Sequence, residues 1–112
     1  MFAIKSVKIV PSGGAPIPTA YTLNDANSRV MSELPSIYHH LFVYNGTADM
    51  VACLIDNSSN AVAPTAGDAR EVHVPTLSGV VLDNVSIAKN IYCRPEGGSA
   101  ITAAAPLLIH VW

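Results

Sequence analysis

Few residues in this chain are able to do chemistry, and their spacing limits what each can reach. There are four histidines. His39 and His40 are adjacent, so in a strand they point to opposite faces and cannot share one metal ion. His73 and His110 stand alone, each in a stretch that alternates apolar with polar residues. A zinc site needs three or four converging ligands, and neither Cys-x-x-Cys nor His-x-x-x-His spacing occurs. The histidines therefore read as ordinary strand residues. No Gly-x-Ser-x-Gly elbow presents a serine for attack. Cys53 lies within the apolar run from Met50 to Ile55, a setting that suppresses thiol reactivity. Cys93 has Arg94 beside it, but sequence neighbours in a strand face apart.

The carboxylates lead to the same expectation. Asp49 and Asp56 flank one apolar stretch and Asp83 precedes Asn84, without the repeated acidic spacing of a calcium loop. Bonding to their own backbone in turns accounts for them better. Gly13-Gly14 and Gly97-Gly98 lack the following helix and the lysine that make a glycine-rich loop a phosphate cradle, so both read as turns. Tyr38, His40, Phe42 and Tyr44 are all even-numbered within one extended stretch and would share a face. Such a stripe could stack on sugar rings, but core packing explains it as well or better. The sequence thus predicts no catalytic residue, no cofactor-binding residue and no metal ligand. The chain is expected not to be an enzyme and to carry no cofactor.

Charge points to how such a chain works. Asp, Glu, Lys and Arg make up 12% of the residues, against roughly a quarter in ordinary soluble domains. Charged side chains are depleted where surface is desolvated against a partner, because an unpaired charge stripped of water is costly. The six basic residues, Lys5, Lys8, Arg29, Arg70, Lys89 and Arg94, are scattered, whereas a nucleic-acid binder gathers them into a patch. Neither DNA nor RNA is expected as a partner. Lys5 and Lys8 interrupt the N-terminal apolar stretch, which leaves no signal-peptide core, and no apolar run approaches the ~20 residues of a membrane-spanning helix. Synthesis in a cytoplasm and no membrane partner are the expectations. There Cys53 and Cys93 fit ordinary buried thiols, with a disulfide as the alternative.

The elements positioning these residues are short strands. Eight prolines and seven glycines divide the chain, and no piece keeps a long helical apolar period. Strands are expected at Ile4–Val10, Ala20–Leu23, Ile37–Tyr44, Thr47–Ile55, Arg70–Val74, Gly79–Leu82 and Val85–Arg94. Another is expected to begin at Ile101-Thr102, and the run from Leu107 to Trp112 to lie paired inside a sheet. Asn24 to Pro35 reads as a loop with one helical turn, and Asn45-Gly46 as a two-residue hairpin turn. Asp56-Asn57-Ser58-Ser59-Asn60 and Pro95-Glu96-Gly97-Gly98 read as turns, and Pro11–Pro18 and Ala61–Ala69 as long neutral loops. Seven to nine short antiparallel strands predict an all-β fold: one β-sandwich domain over residues 1–112, jelly-roll or immunoglobulin-like, with strand order left open.

The last quarter of the chain adds a resemblance. Lys89-Asn90-Ile91-Tyr92-Cys93-Arg94, then Gly98-Ser99-Ala100-Ile101-Thr102, then Ile109-His110-Val111-Trp112, resembles the C-terminal end of small virion proteins of tailed bacteriophages. These motifs are structural. The resemblance implies a capsid cement, staple or decoration protein on a jelly roll or related sandwich, made in the host bacterial cytoplasm and located on the capsid surface of the virion. It implies the major capsid protein as partner and a small homo-oligomer, dimer or trimer, with capsid stabilisation as the role. The alternative is a carbohydrate- or receptor-binding module on a tail or fibre.

Overall fold

Apolar and polar residues alternate along most of the apolar runs, so each strand has one face to bury. The computed structural model meets that need by stacking two antiparallel sheets; it describes residues 5–9, 21, 29–31, 34, 36–58, 64–97 and 106–112, with backbone alone at 5–9. The described residues form eight strands: β1 (Lys5–Ile9), β2 (Arg29–Met31), β3 (Leu41–Asn45), β4 (Val51–Asp56), β5 (Val72–Val74), β6 (Ser78–Leu82), β7 (Asn90–Pro95) and β8 (Leu107–Val111). One sheet, here called A, runs β1-β8-β3-β6, and the other, B, runs β2-β7-β4-β5. Every pairing is antiparallel. The described residues contain no helix, and none is therefore long and apolar enough to cross a membrane.

The pairings nest. β4 pairs with β5, β3 with β6, β2 with β7 and β1 with β8, and successive nested pairs fall alternately in sheets B and A. The chain is thus one long ribbon doubled back on itself between β4 and β5. The final apolar run takes the interior place expected for it, with β8 between β1 and β3.

One core lies between the sheets. Sheet A contributes Leu41, Val43, Leu107, Ile109 and Val111, and sheet B contributes Val51, Cys53, Val74, Ile91 and Cys93. Ile87 joins them from the segment before β7, held by mutual backbone bonds with Tyr38 of 2.8 and 2.9 Å. Burying a side chain of this size contributes about 1.5–3 kcal/mol.

Two local expectations are corrected. Asn45-Gly46 does not close a hairpin, because β3 and β4 belong to different sheets. Asn45 is instead a buried corner post. Its Nδ2 donates to Asp49 O (2.7 Å) and Val74 O (2.9 Å), and its Oδ1 accepts from Thr47 N (2.9 Å) and Thr47 Oγ1 (2.6 Å). Gly46 donates its N–H to Pro106 O at 2.9 Å, and a Cβ at residue 46 would stand 2.6 Å from that oxygen. The glycine serves close packing at a sheet-to-sheet crossing, a need the sequence pair Asn-Gly does not distinguish from a tight turn. In the second correction, Arg29–Met31 forms β2 within the stretch expected to be loop, pairing with Tyr92 and Ile91 across a register shift; residues 24–28, where the helical turn was expected to start, lie outside the described residues. Three residues between Ser28 and Ser32 give no readable period, so their pairing with β7 decides. The expectations at Pro11–Pro18 and Ile101-Thr102 lie outside the described residues, as does Ala20–Leu23 apart from Tyr21.

Candidate binding face

The outer face of sheet A gathers most of the half-exposed rings among the described residues. β3 and β8 are its two central strands, and their register sets Tyr44 opposite Leu108 and Phe42 opposite His110. The ladder continues past the strand ends: His40 and Trp112 exchange backbone bonds of 3.0 and 3.2 Å. Since Leu41, Val43, Leu107, Ile109 and Val111 point into the core, alternation turns His40, Phe42, Tyr44, Leu108, His110 and Trp112 outward. On the β6 side, Gly79 and Val81 continue the rows from Tyr44 and Phe42.

These rings hold one another in place. His40 and Trp112 stack with centroids 5.1 Å apart and planes 13° from parallel, while Phe42 and His110 lie 5.7 Å apart at 47°. Asp83 Oδ1 sits 2.9 Å from His40 Nδ1 and fixes that imidazole from its other side. Phe42 reaches across β6: a Cβ at Gly79 would stand 2.8 Å from Cε2 of its ring. The glycine thus leaves room for the ring to lie against the strand, a packing known to offset the weakness of glycine in sheets. Val81 is 54% exposed beside it, and Leu77 just before β6 is 69% exposed with φ at 53°. Of the described side chains on this face, Asp83 alone bears a formal charge with the histidines neutral. The arrangement can stack on flat or apolar groups and accept or donate a few hydrogen bonds at the His40 and Asp83 end.

The stripe of even-numbered residues therefore splits. His40, Phe42 and Tyr44 share the outward face, whereas Tyr38 is buried in the core beside Ile87, because the alternation slips before β3 begins. Core packing accounts for Tyr38 only. Trp112, His110, Leu108 and Val81 complete the face and lie outside the sequence stripe. The alternation within Leu107–Trp112 marks its even residues, but only cross-strand register shows that they adjoin Phe42 and Tyr44.

The remaining reactive groups do not converge. His39 Nδ1 lies 3.1 Å from Val85 O, while His73, on the outer face of sheet B, contacts Glu96. Among the described residues no three of His, Cys, Asp and Glu are placed to hold a metal ion. Asp56 does bond as a turn residue, its Oδ1 accepting Ser58 N at 3.0 Å, and Asp68 Oδ1 accepts Arg70 N at 2.8 Å. Asp83 pairs with His40 instead. Cys53 and Cys93 are free thiols, buried and opposite each other in β4 and β7.

The outer face of sheet B is closed by its own chain. Ala52, Leu54 and Tyr92 are buried there, with Tyr21 set edge-on to Tyr92 at 5.8 Å. Tyr21 OH donates to Glu71 Oε2 at 2.6 Å, and Glu71 also takes two bonds from Arg94, of 2.7 and 2.9 Å. The Arg94 bonds hold the Glu71 carboxyl down at about 2 despite its burial. Burial first, and then the neighbouring carboxylate, push the Tyr21 phenol above the usual tyrosine range. The Arg94–Glu71 pair thus clamps Tyr21 over the apolar patch. No family model, no curated protein and no solved structure matches the chain.

Proposed function

We propose that this chain is a non-enzymatic structural virion protein of the capsid cement, staple or decoration kind, which acts by pressing a rigid sheet face against neighbouring proteins. The observation that carries the reading is the outer face of sheet A along β3 and β8: ring-lined, half-exposed and, among its described side chains, charged only at Asp83, with Lys8 of β1 set beside Leu108 at its margin. Such a face loses little on desolvation and gains from burying aromatic area, as the centre of a protein interface does. The resemblance of the last quarter of the chain to small phage virion proteins supplies the setting, and the major capsid protein is the proposed partner. A small homo-oligomer, dimer or trimer, on the capsid surface belongs to the same proposal.

We also infer that the sandwich is a jelly roll. A doubled ribbon whose nested pairs alternate between two sheets has that winding, whereas an immunoglobulin-like order would keep the first two strands in one sheet.

Mass spectrometry of purified particles tests the reading. The chain should co-purify with intact capsids, and the Tyr44→Ala/Trp112→Ala double variant should be lost from them while remaining folded. Particles lacking the chain should rupture at lower temperature; equal robustness would overturn the stabilising role. A second reading, a carbohydrate-binding module on a tail or fibre, is favoured by one feature: Trp112 lies flat on His40 beside Asp83, a ring with hydrogen-bonding groups at its margin. A glycan array in which specific binding disappears on Trp112→Ala would select it. Tyr38 is no probe for this purpose, since it is buried.

A further inference from the structure

Cys53 and Cys93 stand opposite each other in the β4–β7 ladder, with their sulfurs 3.0 Å apart in the core. Whether such a pair can be joined depends on its phase in the ladder. Opposed residues alternate between pairs that exchange backbone bonds and closer pairs that do not, with Cα atoms ~5.5 and ~4.5 Å apart. The Glu96 N–H bonds to Met50 O at 2.9 Å, so the pair of residues 50 and 96 is of the bonded kind. Counting inward along the register, Val51 with Pro95 is then a non-bonded pair, and so is Cys53 with Cys93. Proline agrees with that phase, because it has no N–H to donate and none is called for there. A non-bonded pair brings its side chains closest and falls within the Cα spacing that disulfides occupy, about 4.4–6.8 Å.

We propose that Cys53 and Cys93 form an intrachain disulfide that staples β4 to β7 at the centre of sheet B once the chain meets a small-molecule disulfide. Two S–H bonds break and one S–S bond forms; two protons and two electrons pass to the small disulfide, which leaves as two thiols. The bond closes a loop of 39 intervening residues, read from the two sequence numbers, and so limits the unfolded chain. Both sulfurs are sealed in the folded core, and burial pushes the Cys93 thiol well above the usual range. The exchange therefore runs while the sheet opens or folds. In a reducing cytoplasm the thiols persist; outside it the staple accumulates. This inference is independent of the proposed function, since it concerns the other sheet.

The full chain, refolded in a mixture of reduced and oxidised glutathione and then alkylated in denaturant, gives the test. The expected product is a monomer lighter by two hydrogen atoms that takes up no alkyl group. Its peptide map should join the segments holding Cys53 and Cys93, and its Tm should lie about 10 °C above that of the chain refolded in reductant. The Cys53→Ala/Cys93→Ala variant should show one Tm in both buffers; if it fails to fold, the two wild-type refolding arms decide alone. A folded monomer that takes up two alkyl groups, carries glutathione on either cysteine, or links to a second chain would overturn the staple. So would a linked chain with a lower Tm.

Discussion

The outer faces of the two sheets follow the same alternation and end in opposite states. On sheet B, Ala52, Leu54 and Tyr92 point away from the main core, yet all are buried; Tyr21 packs with Leu54 and Tyr92, and Glu71 with Arg94 holds it there. On sheet A, Phe42, Tyr44, His110 and Trp112 occupy the corresponding rows and stay half-exposed. The first face spends its apolar area inside the molecule, where it stabilises the fold. The second keeps aromatic area available to something outside. Alternation thus identifies which residues share a face, but coverage by another part of the chain decides whether that face serves stability or binding.

Breaking the clamp on sheet B should have the largest effect. Arg94→Ala leaves the Glu71 carboxylate, whose side chain is only 1% exposed, without its cationic partner, so a loss of about 3–5 kcal/mol in urea unfolding is expected. A loss below about 1 kcal/mol would mean that Tyr21 covers this face without the ion pair.

Acid sharpens the same point. Glu71 titrates at about 2 in the folded chain, below its unfolded value of 4.5, chiefly through the Arg94 bonds. Its contribution is therefore complete above pH 4.5 and is lost as pH falls from there toward 2. The loss should reach up to about 3 kcal/mol, and Glu71→Gln should flatten this part of the stability profile.

The corner at Asn45 comes next. Asn45→Ala removes the donors to Asp49 O and Val74 O and the acceptor used by Thr47, leaving buried groups unpaired. A loss of about 2–3 kcal/mol is expected, read by chemical unfolding.

On sheet A the effects on stability should be smallest. Tyr44→Ser and Val81→Ser should each shift unfolding by about 1 kcal/mol or less, since neither side chain is buried. The same variants should weaken attachment to the partner at least about tenfold if this face makes the contact. Full attachment by both would move the interface elsewhere.

Much of the fold was legible because period-two alternation is a local property. Leu41–Asn45, Val51–Asp56, Ser78–Leu82 and Leu107–Val111 all fall within or close to the expected strands. β2 was not legible, since three residues carry no period and the strand exists through its pairing with Tyr92 and Ile91. Nor was the binding face. Phe42 and Tyr44 were visible as a stripe, but Trp112 and His110 lie far along the chain and meet them only through the β3–β8 register.

What the sequence determined alone is the all-β character and the depletion of charge. These depend on residue type and on the alternation of side chains along a strand. What only the tertiary structure decided is which strands became neighbours, and with them the corner role of Asn45, the contact of Cys53 with Cys93, the burial of Tyr38 and the open ring face. Those outcomes depend on contacts between residues tens of positions apart, whose energies are settled when the doubled ribbon closes and not before.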